Sequence, residues 1–184
     1  HPGRRVVLWD FGSKGGISKS LQDRGCEVVH APAWASAEQI LAYKPDGVLL
    51  SNGPGDPVVN VSIIEELKKL ADSGTPIFGI CLGHQLLALS QGATTEKLKF
   101  GHRGANQPVR DEQTGRHYIT SQNHGYAVSL KSLPSGVQPL FLNANDSTVE
   151  GIVYNNIPAF SVQFHPEACG GPLDTGYLFD LFMQ

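Results

Sequence analysis

A cysteine between two glycines gives the clearest indication of chemistry in this chain. Cys81 lies in the run Gly79-Ile80-Cys81-Leu82-Gly83, between an apolar segment and a helical pattern. Flanking glycines relieve crowding where a strand turns sharply into a helix, and such a turn holds a nucleophile clear of the sheet. The N–H groups and the positive dipole end at the start of a helix favour a thiolate. We therefore interpret Cys81 as a nucleophile rather than as a buried structural cysteine.

A candidate base and its orienting acceptor lie near the other end of the chain. His165-Pro166-Glu167 follows the apolar segment 159–164. Proline cannot donate to a sheet ladder, so a strand should end at this point. Side chains two residues apart point the same way in an extended chain, so Glu167 can hold the imidazole of His165. The tripeptide alone would be read as a surface turn, but together with Cys81 it predicts a Cys-His-Glu triad.

An acyl-transfer site also needs hydrogen-bond donors for an oxyanion. The N–H of Leu82, directly after the nucleophile, is the first candidate. The second should come from another loop, and the glycine- and proline-rich segment 51–57 follows an apolar strand. Because Pro54 has no N–H, the donor is either Gly53 or Gly55.

Five motifs in this chain resemble those of the class I (triad-type) glutamine amidotransferases. Within that family they are most similar to the glutaminase domain of the carbamoyl-phosphate synthetase small subunit. The motifs occupy residues 51–57, 79–85, 99–106, 120–126 and 160–168. The cysteine turn and His-Pro-Glu indicate the superfamily, whereas segments 99–106 and 120–126 point to the carbamoyl-phosphate branch. The similarity extends over residues 6–182.

The resemblance implies an activity and a set of site residues. The activity is hydrolysis of L-glutamine to glutamate and ammonia through a cysteinyl thioester, with the ammonia used to make carbamoyl phosphate for pyrimidine or arginine synthesis. Cys81 would attack the amide, His165 would transfer protons and Glu167 would orient the imidazole. Glutamine would be contacted, partly through backbone atoms, at Gly53, Gly55, Leu82, Gln85, Asn123, Gly125 and Tyr126.

The same resemblance implies a partner that uses the ammonia. This partner is a large ATP-using synthetase subunit or domain, and ATP and Mg²⁺ would belong to it. The chain has no phosphate-binding loop and no Cys/His spacing typical of zinc, so we expect no cofactor and no metal in this domain. Segment 101–106 either lines the surface that faces the partner or shapes the edge of the pocket as a glycine-rich loop.

Length and composition agree with an enzyme domain. The chain has 184 residues, 40% hydrophobic and 17% charged, which suits one domain covering residues 1–184. A net charge of −3 argues against nucleic-acid binding, and no apolar run has the length of a membrane span or the form of a signal peptide. Three scattered cysteines, Cys26, Cys81 and Cys169, indicate a reducing compartment, so we expect a cytoplasmic location. Because the chain starts at His1 and lacks the N-terminal domain of small subunits, we expect an excised domain or a fragment.

The first half of the sequence alternates apolar strands with helical segments. Wholly apolar strands are typical of a parallel sheet that is covered on both faces and binds ligands at the carboxyl ends of its strands. Strands are predicted at 5–9, 25–31, 47–51 and 76–80, and helices at 17–24, 36–43, 62–72 and after Cys81.

After residue 92 the pattern changes to short strands separated by turn residues. These strands are predicted at 118–120, 126–130, 137–142, 148–153 and 159–164, with antiparallel pairing, and a last helix at 174–182. The predicted fold class is therefore α/β. It consists of an open, mostly parallel, doubly wound sheet with helices on both faces, of the class I glutaminase or flavodoxin-like type, plus a smaller antiparallel sheet.

Three other interpretations stay open at this point. The chain could be the glutaminase component of another class I amidotransferase, serving anthranilate, GMP or CTP synthesis. It could be a non-catalytic regulatory or docking module on the same fold. It could also be a cysteine hydrolase that acts on another amide or γ-glutamyl bond.

Overall fold

The structure, a computed structural model, describes residues 3–13, 15–168 and 175–184. In these residues the strands are β1 (Arg5–Asp10), β2 (Glu27–Pro32), β3 (Gly47–Leu50), β4 (Ile77–Ile80), β5 (Thr95–Asp111), β6 (His117–Val128), β7 (Val137–Asn143), β8 (Val149–Tyr154) and β9 (Ala159–Val162). The helices are α1 (Gly15–Gln22), α2 (Ala37–Ala42), α3 (Val61–Asp72), α4 (Leu82–Ser90) and α5 (Tyr177–Phe182). Two short 3-10 helices cover Pro57–Val59 and Leu130–Ser132.

All nine strands form one mixed sheet in the order β2-β1-β3-β4-β9-β8-β7-β5-β6. The first four strands of this order are parallel to one another, as the apolar strand pattern predicted, and β9 adds a fifth parallel strand beside β4 that was not predicted to be parallel. Their order, with β1 between β2 and β3, is that of doubly wound flavodoxin-like sheets. The carboxyl ends of β3, β4 and β9 therefore lie side by side at one edge, which brings together the segments that follow them.

The antiparallel strands continue the same sheet, because β9 pairs with β4 on one side and with β8 on the other. The predicted antiparallel pairing is confirmed for β6, β7 and β8, whereas β9 also pairs in parallel with β4, and these strands extend the parallel sheet instead of forming a smaller sheet of their own. The two short strands expected at 118–120 and 126–130 are parts of the single strand β6, and its long partner β5 was not predicted. Strand β5 is polar and interrupted by glycines, including Gly101 and Gly104 with φ of 71° and 110°. Its register shifts at two places, so no regular alternation marks it in the sequence.

Helices cover both faces of the parallel part, as predicted. Side chains of α2, α3 and α4 pack with Val7 and Trp9 of β1 on one face. Side chains of α1 and α5 pack with Val6 and Leu8 on the other face. Adjacent residues of a strand point to opposite faces, so a wholly apolar strand fills both cores. Predicted boundaries in this part differ from the observed ones by no more than two residues for α1, α2, α3 and β1 to β4.

Helix α5 begins at Tyr177, and the predicted start of this helix at residue 174 lies outside the described residues. Cys26 and Cys81 are both buried free thiols, and Cys169 lies outside the described residues. No helix among the described residues combines the length and the apolar character needed to span a membrane.

Candidate active site

The backbone at Cys81 has a conformation that non-glycine residues rarely adopt. Its φ is 55° and its ψ is −108°, and it is the N-cap residue of α4. The turn is held from both sides, because Cys81 N–H donates to the Val162 carbonyl at 2.9 Å and Gly83 N–H donates to the Ser51 carbonyl at 3.0 Å. Such strain persists only where the surrounding structure over-determines it, and it is typical of functional sites.

The two glycines that flank Cys81 are required by close backbone contacts. A Cβ on Gly79 would lie 2.9 Å from the Gly83 carbonyl oxygen, and a Cβ on Gly83 would overlap the Leu50 carbonyl. Helix α4 thus packs directly against β3 and β4 through bare backbone. The buried His84 ring adds a bond to Ser161 of β9, with Nδ1 and Oγ 2.7 Å apart. These contacts fix the start of α4 beside the ends of β3, β4 and β9.

His165 and Glu167 lie beside Cys81 along one cavity of about 700 Å³. His165 follows β9, and its N–H donates to the Ser121 carbonyl at 2.9 Å. Its Nδ1 is 2.8 Å from Glu167 Oε1. An ionised carboxylate only accepts, so Nδ1 carries a proton and Nε2 is the nitrogen left for Cys81. The structure therefore brings together the three residues that were predicted as a triad.

The protonation of His165 is set by two opposing influences. Burial favours the neutral ring and lowers its pKa, but hydrogen bonds and charge interactions with Cys81 and Glu167 outweigh burial and raise the pKa of His165 to about 10. The imidazolium is then the stable form at neutral pH. A charged ring between a sulfur and a carboxylate corresponds to the ion-pair form of a cysteine–histidine site.

A second, smaller cavity of about 320 Å³ is also lined by Cys81. Six of the seven residues predicted to contact glutamine line it, namely Gly53, Gly55, Gln85, Asn123, Gly125 and Tyr126. The seventh, Leu82, is the first residue of α4, and its side chain is buried. Its predicted contribution is its N–H, which is in the first turn of a helix and so lacks an intrahelical partner.

The two candidate oxyanion glycines differ in position. Gly53 lines both cavities, whereas Gly55 lines only the smaller one. A Cβ on Gly53 would overlap the Phe11 carbonyl and lie 2.8 Å from Leu82 Cδ2, so no side chain fits there. Gly53 is therefore the glycine whose backbone packs against the residue that follows the nucleophile.

Gln85 connects α4 to β6 and to the segment that follows β9 through hydrogen bonds. Its Nε2 donates to the Tyr126 carbonyl at 2.8 Å and to Gln163 Oε1 at 2.9 Å. Gln163 Nε2 in turn lies 3.6 Å from Cys81 Sγ. The sequence analysis did not predict a role for Gln163, and its position two residues before His165 was the only sequence signal for it.

A buried network of polar side chains supports the wall formed by β6. His124 Nδ1 donates to the Tyr126 carbonyl at 2.7 Å, and its Nε2 is 2.8 Å from Gln122 Oε1. Gln122 also donates to the fully buried Glu150. Burial lowers the pKa of His124 to about 4 and raises the pKa of Glu150. These residues come from β6 and β8, so their sequence spacing gave no sign of the network.

His102 joins the same network from β5. Its Nε2 is 2.7 Å from Asp146 Oδ2, and its Nδ1 is 3.4 Å from Glu150 Oε1. The interaction with Glu150, helped by Asp146 and only partly opposed by burial, raises the pKa of His102 to about 9. Segment 101–106 was predicted to line either the partner side or the pocket edge. Arg103 lines the smaller cavity, which agrees with the second possibility.

Comparison with known proteins adds three kinds of similarity. A family model described as "Glutamine amidotransferase class-I" matches residues 7–184. The carbamoyl phosphate synthase small chain of Symbiobacterium thermophilum is 54% identical over 183 residues, covering 99% of this chain and 50% of that protein. The protein of the same name from Methanocaldococcus jannaschii is 55% identical over 180 residues, covering 98% and 51%. The chain thus spans about half the length of these curated relatives.

Solved structures share the fold. A putative GMP synthase component from Thermoplasma acidophilum superposes with a TM-score of 0.86 at 23% identity, covering 100% of this chain and 94% of that one. A glutamine amidotransferase from Thermotoga maritima gives a TM-score of 0.72 at 18% identity, covering 91% and 78%. At such identities the likeness concerns the fold alone. The family match over nearly the whole chain shows that this chain belongs to the class I glutamine amidotransferases.

Proposed function

We propose that this chain hydrolyses the side-chain amide of L-glutamine and supplies the ammonia for carbamoyl phosphate synthesis. The observation that carries the proposal is the arrangement around Cys81. This strained nucleophile turn lies in one cavity with an imidazole whose Nδ1 is 2.8 Å from Glu167. Family membership supports glutamine as the substrate.

In the first step the Cys81 thiolate attacks the amide carbon of glutamine. The carbonyl oxygen becomes an oxyanion, which the N–H groups of Leu82 and Gly53 stabilise. The position of Gly53 between the two cavities supports it over Gly55 as the second donor. His165 Nε2 then gives its proton to the departing nitrogen, so that ammonia leaves and a γ-glutamyl thioester remains.

In the second step water cleaves the thioester. The neutral His165, which has just lost a proton to ammonia, accepts one from the water as the hydroxyl attacks the acyl carbon. Collapse of the second oxyanion releases glutamate and restores the Cys81 thiolate beside a charged imidazole. Throughout, Glu167 accepts from Nδ1, so the ring keeps one orientation while Nε2 gains and loses the proton.

Because Cys81 lines two cavities, glutamine and the small molecules of the reaction can occupy different cavities beside the sulfur. Glutamine would occupy the smaller cavity, whose lining includes Asn123, Gly125 and Tyr126. Water and the departing ammonia would use the larger cavity, where His165 and Glu167 lie. None of these steps calls for a cofactor or a metal ion in this domain.

The ammonia acceptor would be a large ATP-using synthetase subunit or domain. The relatives that span this whole chain at 54–55% identity are named carbamoyl phosphate synthase small chains, which supports this branch of the family. ATP and Mg²⁺ would bind to that partner, and the two proteins would act together in the cytoplasm.

The test is ammonia release from L-glutamine by the wild type and by Cys81→Ala. We expect the variant to lose at least about 10⁴-fold in kcat, because removal of a nucleophile leaves only the remaining stabilisation. Cys26→Ala is the matched control, since Cys26 is a buried thiol that contacts Met183 rather than the site. Equal rates for wild type and Cys81→Ala would remove Cys81 from the chemistry.

A second measurement tests the branch. The chain is mixed with a large carbamoyl-phosphate synthetase subunit or, in parallel, with the ATP-using partner of a GMP synthetase. Glutamine-dependent carbamoyl phosphate formation with the first partner is the expected result. Coupling to the second partner alone would assign the chain to another class I branch.

A further inference from the structure

Two basic side chains, Lys97 and Arg103, line the smaller cavity beside Cys81. Among the described residues that line this cavity there is no carboxylate. Neither side chain takes part in an ion pair with any other described residue. The cavity therefore has positive charge in excess, and an anion is the ligand charge that it favours.

The β5–β6 ladder places both cations beside the strand that supplies Asn123, Gly125 and Tyr126. In the β5–β6 ladder Lys97 pairs with Tyr126 and Arg103 pairs with Asn123. Asn123 and Tyr126 are three residues apart on β6, but the register shifts between Lys97 and His102, and in this irregular ladder both cations line the one cavity. The two cations thus flank the wall of Asn123, Gly125 and Tyr126 from the neighbouring strand.

The guanidinium of Arg103 is held in place at this wall. Its Nη1 donates to the Phe100 carbonyl at 2.8 Å. Its Nη2 lies against the backbone of Gly125, since a Cβ built there would be 3.6 Å away. The positive charge of Arg103 also acts on the neighbouring His124 and contributes to lowering its pKa. A guanidinium positioned by a backbone carbonyl still has N–H groups for a carboxylate.

L-Glutamine carries a single carboxylate, at its α-carbon, while its reacting end is a neutral amide. We propose that Lys97 and Arg103 bind this α-carboxylate and so are specificity-determining residues. The inference rests on the proposed glutaminase function. With the amide at Cys81 and the carboxylate at the cations, the smaller cavity selects an amino acid over a neutral amide of the same length.

The test compares Lys97→Met, Arg103→Met and the double variant with the wild type. Methionine keeps an apolar stem of similar length and removes the charge. The control is Lys99→Met, because Lys99 is an exposed cation on the same strand whose ammonium lies 5.4 Å from the Phe100 ring centroid and does not line the cavity. The substrates are L-glutamine and L-glutamine α-amide, in which a neutral carboxamide replaces the α-carboxylate.

We expect the double variant to raise the KM for L-glutamine about tenfold or more, with kcat within about twofold of the wild type, as for a group that binds ground state and transition state alike. The wild type should prefer L-glutamine over its α-amide by a similar factor, and the double variant should lose that preference. Lys99→Met should behave as the wild type. An unchanged KM, or an unchanged preference between the two substrates, would overturn the inference.

Equilibrium binding separates this inference from the proposed function. L-Glutamine is titrated calorimetrically into Cys81→Ala with and without the two methionine substitutions. Weaker binding only when the cations are removed supports the inference, even if the wild-type chain releases no ammonia and the proposed reaction fails. If the wild-type chain turns glutamine over and the substitutions leave its binding unchanged, only the role of Lys97 and Arg103 is refuted. If glutamine does not bind to any form, both are refuted.

Discussion

Replacing Glu167 by Gln should reveal how the His165 imidazole is kept charged. The pKa of His165 is about 10, against an ordinary value of 6.5. That difference corresponds to about 5 kcal/mol in favour of the charged ring. The His165 side chain is 19% exposed, so solvent screens this preference only in part. Cys81 and Glu167 both support the charge, and we assign about 2 kcal/mol to the Glu167 carboxylate, which corresponds to about 1.5 pH units in the position of the alkaline fall in activity.

The assay is kcat/KM for ammonia release from pH 6 to pH 10. Because the departing nitrogen takes its proton from His165, activity should fall once that ring deprotonates. In the wild type this alkaline fall should come near pH 10. In Glu167→Gln the pKa of His165 should drop toward its ordinary value, so the fall should begin about 1.5 pH units lower, while kcat/KM at pH 7 should change little because the ring is still mostly charged there.

The matched control is Glu65→Gln, which removes an exposed carboxylate that pairs with Lys68 on the surface of α3. Its profile should superpose on that of the wild type. If Glu167→Gln has the same alkaline limb as the wild type, the carboxylate does not determine the charge on the imidazole. The reasoning from geometry to protonation would then be refuted, even if the rate falls.

Two further predictions concern the framework around the site. Gly83→Ala should abolish turnover and destabilise the fold by about 1–3 kcal/mol, since its Cβ would overlap the backbone of β3. The control in urea unfolding is Gly15→Ala, which has open space at its Cβ and should show no loss of stability. Equal stability of the two variants would contradict the packing argument. His102→Gln should destabilise the protein by up to about 3 kcal/mol below pH 6.5 and progressively less as the pH rises through 9. The pKa of His102 is about 9 in the folded protein against 6.5 ordinarily, so the charged ring stabilises the fold fully at low pH and this stabilisation is lost when the ring deprotonates. A pH-independent difference in unfolding free energy between wild type and His102→Gln would show that His102 contributes packing rather than charge.

The parallel half of the fold could be predicted because its signals are local. Wholly apolar strands alternate with amphipathic helices, and a residue such as Ser36 marks a helix start by itself. Its side chain accepts from Gln39 N–H at 3.1 Å in the observed capping box. Strand β5 lacked such signals, because polar residues, positive-φ glycines and two register shifts break its alternation. Its pairing with β6 and β7 holds this segment in an extended conformation that its local sequence pattern does not indicate.

Local sequence patterns were sufficient to predict the nucleophile turn and the parallel framework. Gly79, Cys81 and Gly83 lie within five consecutive residues, and the steric need for glycine can be read from their spacing. Tertiary structure alone decided that Lys97 and Arg103 line the smaller cavity and that Gln163 lies beside the sulfur. Their positions depend on strand register and on contacts between segments about 80 residues apart. Sequence patterns record local conformation and burial, whereas the sharing of one cavity by distant side chains is set only when the sheet is assembled.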